Sequence, residues 1–311
     1  MSNITNTAPE HANAALENIW EKYREVAATA RKKKAQLIKW RYRILILGIV
    51  GAILGVLCQE AIRLGINSGV YSSVPMILGG LSAISIGLAT FFGKELVNPE
   101  QERKWIRCRS TSEALKANAY LFVTNTPPYD QSNRDESLLF KTDELIEKIS
   151  DIKLDTITKE EKYRGILPNI MSIEQYIKDR IDDQIDFYFP TSDKYEKKLA
   201  YYKRAGLLLG IIAVILGALG STGWTAGWLA VISTIISSIA AYSFANKYQY
   251  LIISYQATGN RLKSLKAHWL ISKDTGNREN QTKLIQDCEE GISIENSSWM
   301  AEVSQNTTQE H

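Results

Sequence analysis

The chain has 311 residues, a formal net charge of +3, 23% charged and 45% hydrophobic residues, and three cysteines. Such averages suit a two-domain soluble protein, but the apolar residues are gathered into four charge-free runs, at 44–58, 74–93, 205–219 and 225–244. Cys58, Cys108 and Cys288 stand apart, which excludes a disulfide framework and metal-ligand spacing and fits a reducing compartment.

Pro9 suits a first helical turn, and no Gly or Pro follows until Gly48. Within this stretch, "RKKKAQLIKWRYRILILGIVGAILGVL" at 31–57 changes character halfway. Its first thirteen residues carry seven cations, Arg31, Lys32, Lys33, Lys34, Lys39, Arg41 and Arg43, and the next fourteen carry none. The pattern predicts one rod of about fifty residues, about 75 Å long at 1.5 Å per residue. The cation block stops the chain translocating and rests on anionic headgroups, at about 1 kcal/mol per nearby Lys or Arg. The adjoining apolar run sets a nucleic-acid reading of these cations aside.

The second and fourth runs have the roughly 20 residues that cross about 30 Å of hydrocarbon. The shorter first and third are extended by flanking side chains that snorkel. The competing reading, four core helices of a soluble protein, lacks the polar face such helices keep. The predicted spans are 41–60, 74–94, 203–220 and 224–244. A helix continues to about 123, with a break at Asn98–Pro99, and completes a first unit, 1–124. The segment 125–171 is a linker with a short helix in "DESLLFKTDELIEKI". Ser172 and Gln175 form a capping box that opens a second unit, 172–299. Its first helix, 172–189, carries a stripe of Ile173, Ile177, Ile181, Ile185 and Tyr188 that must pack on something. Pro190 ends it, and a helix over 192–203 leads into the third span. After the fourth span a helix runs to about 272. A tail helix covers 278–290, and 300–311 is a disordered tail.

Lys and Arg crowd at the outer ends of each span pair and are nearly absent from the two hairpin loops. The positive-inside rule therefore puts both termini in the cytoplasm. Trp224 and Trp228 suit the far interface and Trp40 the near one. The chain also repeats itself. "GIVGAILGVL" at 48–57 returns as "GIIAVILGAL" at 210–219, and "TSEALK" at 111–116 as "TGNRLK" at 258–263. The expected fold is an all-α integral membrane protein: four transmembrane helices as two parallel two-span units, with long cytoplasmic helical extensions.

No Asp, Glu, Lys, Arg or His lies in a span core, which argues against a pump or proton relay. Small residues recur instead at spacings that share a helix face. Gly51 and Gly55, Gly79, Ala83 and Gly87, and Gly206, Gly210, Ala213 and Gly217 are candidate helix-packing positions. Ser233, Thr234, Ser237 and Ser238 either bond back to their own helix or line a narrow, uncharged polar path. Asp179, Asp182, Asp183 and Asp186 fall on one helix face, which is either solvated or a surface for a divalent cation or a basic partner. The chain has no phosphate-binding glycine motif, no HExxH, no Cys/His cluster and no GxSxG, so no enzyme and no cofactor is expected.

"YIKDRIDDQIDFY" at 176–188 resembles the Tyr…Arg…Gln…aromatic-Tyr signature that precedes the first span in the SLATT class, the SMODS and SLOG-associating two-transmembrane effectors. "ATGNRL" after the fourth span and "EGISIENSSW" at 290–299 resemble that family's closing pattern of acidic residues followed by Trp. The likeness covers 176–299; the first half has the layout without the signature. It implies a bacterial inner-membrane protein of pore-forming type, although no nucleotide-sensing domain is visible. The expected function is an oligomeric channel or pore with a large cytoplasmic helical region. The alternative is a membrane-anchored scaffold or accessory subunit without a pore. The expected partners are the lipid bilayer and further copies of the chain, with a cytoplasmic protein as a further candidate and no nucleic acid.

Overall fold

A computed structural model describes residues 10–66, 72–156, 167–220, 225–272 and 274–308, with side chains described between residues 14 and 293. Trp224, named in the interface expectation, lies outside the described residues. Every regular element among the described residues is helical. In chain order these are α1 (Glu10–Arg63), α2 (Val74–Leu96), α3 (Pro99–Val123), α4 (Arg134–Glu147) and α5 (Ile173–Tyr176). A π-helical turn (Ile177–Asp182) follows, then α6 (Asp183–Ala218), α7 (Thr225–Ala245), α8 (Tyr248–Ile271) and α9 (Arg278–Thr308). Four stretches are long and apolar enough to cross a membrane, carried by α1, α2, α6 and α7.

The residues fall into two compact units. The span unit takes Ala35–Gln101 and Ser192–Ile253; the polar unit takes the described residues of Met1–Lys34, Glu102–Thr191 and Ser254–His311. Each unit draws on both halves of the sequence, so the consecutive division into 1–124, 125–171 and 172–299 does not coincide with the compact bodies.

In the span unit, α1 and α2 form a tight hairpin. Ser82 Oγ donates to the Gly51 carbonyl at 2.7 Å, Ser85 Oγ to the Leu47 carbonyl at 2.8 Å, and Cys58 Sγ to the Pro75 carbonyl at 3.1 Å. Interhelical bonds of this kind contribute about 0.6–2 kcal/mol each in lipid. A Cβ on Gly51 would lie 2.6 Å from Ile86 Cγ1, so glycine is what lets the two backbones approach. The outer surface is apolar: Met76, Leu207 and Val214 are 74%, 66% and 73% exposed. A hydrocarbon solvent permits this and water does not. At the basic end of the spans Tyr42, Tyr202, Tyr242 and Tyr248 form a ladder of rings 5.7–6.4 Å apart, and Arg43 lies 4.6 Å over Trp40. Amphipathic rings favour that depth.

In the polar unit, Ile19 and Trp20 of α1, Leu115 and Phe122 of α3, and Ile285 and Cys288 of α9 are buried. The predicted stripe meets this core through Ile173, Ile177, Ile181 and Tyr188. The capping box is formed, with Gln175 N donating to Ser172 Oγ and Ser172 N to Gln175 Oε1.

Two expectations are corrected. Pro190 does not end a helix; it lies inside α6, which runs unbroken from Asp183 through the third span. Proline removes one backbone bond, but Tyr188 and Ser192 on either side of it are buried, and this packing holds the helix. The last helix does not stop near 290; α9 runs through Thr308, so most of the expected disordered tail, 300–311, is helical. Gly291 is a packing position within α9. A Cβ on it would meet Arg261 Nε at 3.1 Å, so the missing side chain makes room for α8.

Candidate functional site

The π-helical turn falls inside the quoted signature, at "IKDRID". Such turns widen the helix locally and recur at functional sites. Here the turn buries both Arg180 and Ile181. Arg180 is 0% exposed and Glu289 of α9 4%. Arg180 Nε and Nη2 donate to the two Glu289 oxygens at 2.9 and 2.8 Å, the planar two-bond fit of guanidinium to carboxylate. Tyr176 donates its hydroxyl to Glu289 Oε1 at 2.9 Å. The Tyr120 ring lies 4.8 Å from the guanidinium carbon, and its π face faces a desolvated cation. Arg180 Nη1 is buried without a hydrogen-bond partner. Burial, and then the Glu289 carboxylate, hold the Tyr176 phenol well above its ordinary range. The same two causes push the neighbouring Cys288 thiol up to about 12, so it is an inert thiol at neutral pH.

Beside this network lies a cavity of about 770 Å³. Its aromatic wall is Trp20, Tyr23 and Tyr120, its cations are Lys116 and Lys178, and all four predicted aspartates, Asp179, Asp182, Asp183 and Asp186, line it. Burial lowers the Lys116 pKa, and the nearby Arg180 charge adds to the effect. Asp182 accepts from Lys266. No group of three or more His, Cys, Asp or Glu among the described residues is arranged to hold a metal ion, so the divalent-cation reading gains no geometric support.

The hydroxyl row divides. Ser233, Thr234 and Ser237 are exposed on α7, and Thr234 Oγ1 donates to its own helix at the Ala230 carbonyl, 2.9 Å away. Ser238 is half-buried and lines a second cavity, within the span unit. The small-residue rows divide as well. A Cβ on Gly51, Gly55 or Gly79 would meet α1 or α2 side chains at 2.6, 3.3 and 3.4 Å, whereas Gly87, Gly206, Gly210 and Gly217 have nothing within 4 Å. Ala83 is exposed and Ala213 half-buried.

The cation block is split between the units. Lys32 pairs with Asp155, and Lys34 Nζ lies 5.5 Å over the Trp105 ring, so these two are engaged within the polar unit. Arg31 and Lys33 belong to that unit too, and Lys39, Arg41 and Arg43 to the span unit.

Sequence reasoning quoted Tyr176 and Arg180 for their signature and gave them no role. Glu289 lies one residue before the quoted closing stretch, and Tyr120 carried no signal. The pairing of positions 180 and 289 is a tertiary fact.

Residues 176–299 match the family model described as SMODS and SLOG-associating 2TM effector domain 1. Residues 20–137 match a second family model, described as a protein of unknown function (DUF4231). No curated protein and no solved structure matches the chain.

Proposed function

Because residues 176–299 match the model of the SMODS and SLOG-associating 2TM effector domain, we propose that this membrane-associated protein is an oligomeric channel of the bacterial inner membrane. In this reading both termini and the polar unit are cytoplasmic, and the chain catalyses no reaction. The carrying observation is the outward placement of Ser233, Thr234 and Ser237 on an apolar span without an ionisable group. One chain does not enclose these hydroxyls; several copies around an axis would, and the row would then replace part of an ion's hydration.

The proposed duplication supports a symmetric assembly. Thr111 and Leu115 of α3 and Thr258 and Leu262 of α8, paired by the sequence repeat, are all buried. Lys116 Nζ lies 5.9 Å over the Tyr23 ring, and its counterpart Lys263 lies 3.8 Å over Phe189. In each half, the helix after the second span sets a lysine over an aromatic ring from the helix before the first. The match of residues 20–137 to a second family is compatible with two diverged copies.

The test is Thr234→Leu with Ser237→Leu in the full chain, read by native size in lipid and by ion flux into vesicles. A hydroxyl-lined path predicts intact assembly with reduced flux. Weakened assembly means the row packs helices between copies. A monomer without conductance in the unsubstituted chain leaves the scaffold reading, in which the polar unit docks a cytoplasmic partner.

A further inference from the structure

The second cavity, of about 410 Å³, lies within the span unit among α1, α2 and α7. Each helix offers it residues at three- and four-residue spacing, so one face of each lines it. Missing side chains create the void. Gly48 and Gly93 are among its walls, and a Cβ on either would meet nothing within 4 Å. Its charge lies at one end. Arg41 lines it and no carboxylate does; Gly48, Ala89, Thr90 and Ser238 are the lining residues farthest from Arg41 along their helices, and the Thr90 hydroxyl donates to its own helix at the Ile86 carbonyl. Arg41 opens the predicted first span, 41–60, while Val97 and Ala245, which also line the cavity, follow the predicted second and fourth, 74–94 and 224–244. All three therefore stand at the end of the spans where the cations gather. Gly48 lies seven residues after Arg41, so the cavity reaches about 10 Å inward along α1.

We propose that this cavity binds one anionic phospholipid, its phosphate on Arg41 and the first part of an acyl chain against Gly48 and Gly93. An apolar void left empty forfeits the dispersion contacts of its whole lining. Water gains few partners at its deep end. In a bilayer, the filler at that depth is an acyl chain. A basic residue at the mouth of a gap between spans selects an anionic headgroup. A zwitterionic lipid places its own cation beside its phosphate and gains less. The proposal rests on α1, α2 and α7 being spans. It does not rest on the channel, so ion flux is not its readout.

The experiment titrates detergent-purified full-length chain with phosphatidylglycerol or phosphatidylcholine and counts retained lipids by native mass spectrometry. The expected result is one phosphatidylglycerol held about fivefold more tightly than phosphatidylcholine, the worth of one cation at an anionic headgroup. Arg41→Gln should abolish the preference and keep weak retention of both lipids. Arg63→Gln, at the far end of α1 and outside the cavity, should leave the preference intact, and Gly48→Leu should lower retention of both lipids by filling the deep end. Equal retention of the two lipids by the unsubstituted chain overturns the proposal, as does an equal effect of Arg41→Gln and Arg63→Gln. Loss of retained lipid on self-association, with no change in detergent monomers on Gly48→Leu, identifies a second copy as the occupant and also overturns it.

Discussion

Arg180 and Glu289 show what a single buried pair demands. A desolvated ion is tolerated when a well-placed partner carries its charge, and here Nη1 is the one guanidinium nitrogen left without a hydrogen bond. Glu289 is met by three donor atoms, two from Arg180 and one from Tyr176. Glu289→Ala strands a buried guanidinium, so urea unfolding of the polar unit within the full chain should show a loss of about 3–5 kcal/mol. The double change Arg180→Met with Glu289→Leu should recover most of that, because neither charge is then buried. Equal losses for the single and double variants would mean that the pair is not desolvated as described. Tyr176 and Arg180 were legible as a signature, because residue types are printed in the sequence. The partner across 109 residues was not, because that pairing depends on how α9 packs.

Among elements, small-residue rows of the same appearance do different things. Gly51 has Ile86 against it, while Gly210 has open space. Gly51→Val must push α1 from α2 and should destabilise the hairpin by about 1–3 kcal/mol, the usual cost of overpacking. Gly210→Val meets nothing within the chain, so thermal unfolding of detergent-isolated monomers should not change. If Gly210→Val instead alters native size in lipid, a second copy packs on that face. Helix boundaries followed the same logic. The capping box at Ser172 acts through local bonds and formed as read, whereas Pro190 was misread as a stop and the tail helix, expected to end at 290, runs on through Gly291. A stop signal expresses a local cost of a few kcal/mol at most, and burial on either side outweighs it.

For the whole molecule, the first prediction is topological. With Leu64→Cys and Gln131→Cys made separately in a cysteine-free chain, an impermeant maleimide on intact cells should label the first and spare the second. The reverse pattern would sink the cytoplasmic placement of the polar unit. The expectation rests on the distribution of charge, since cations resist translocation.

Chain order and charge by themselves determined that α1 is one long rod, that four helices are apolar enough to span, and that 176–188 carries a family signature. These properties are local: periodicity, run length and residue type act within about twenty residues. Only the tertiary structure decided that two compact units each draw on both halves of the chain. It alone set Arg180 against Glu289 and showed which glycines touch a neighbour. It also brought Arg41 and Gly48 of α1 together with Ser238 of α7 in the lining of one cavity. Such facts depend on which faces meet, and a helical face that suits several partners equally well does not name the one it takes.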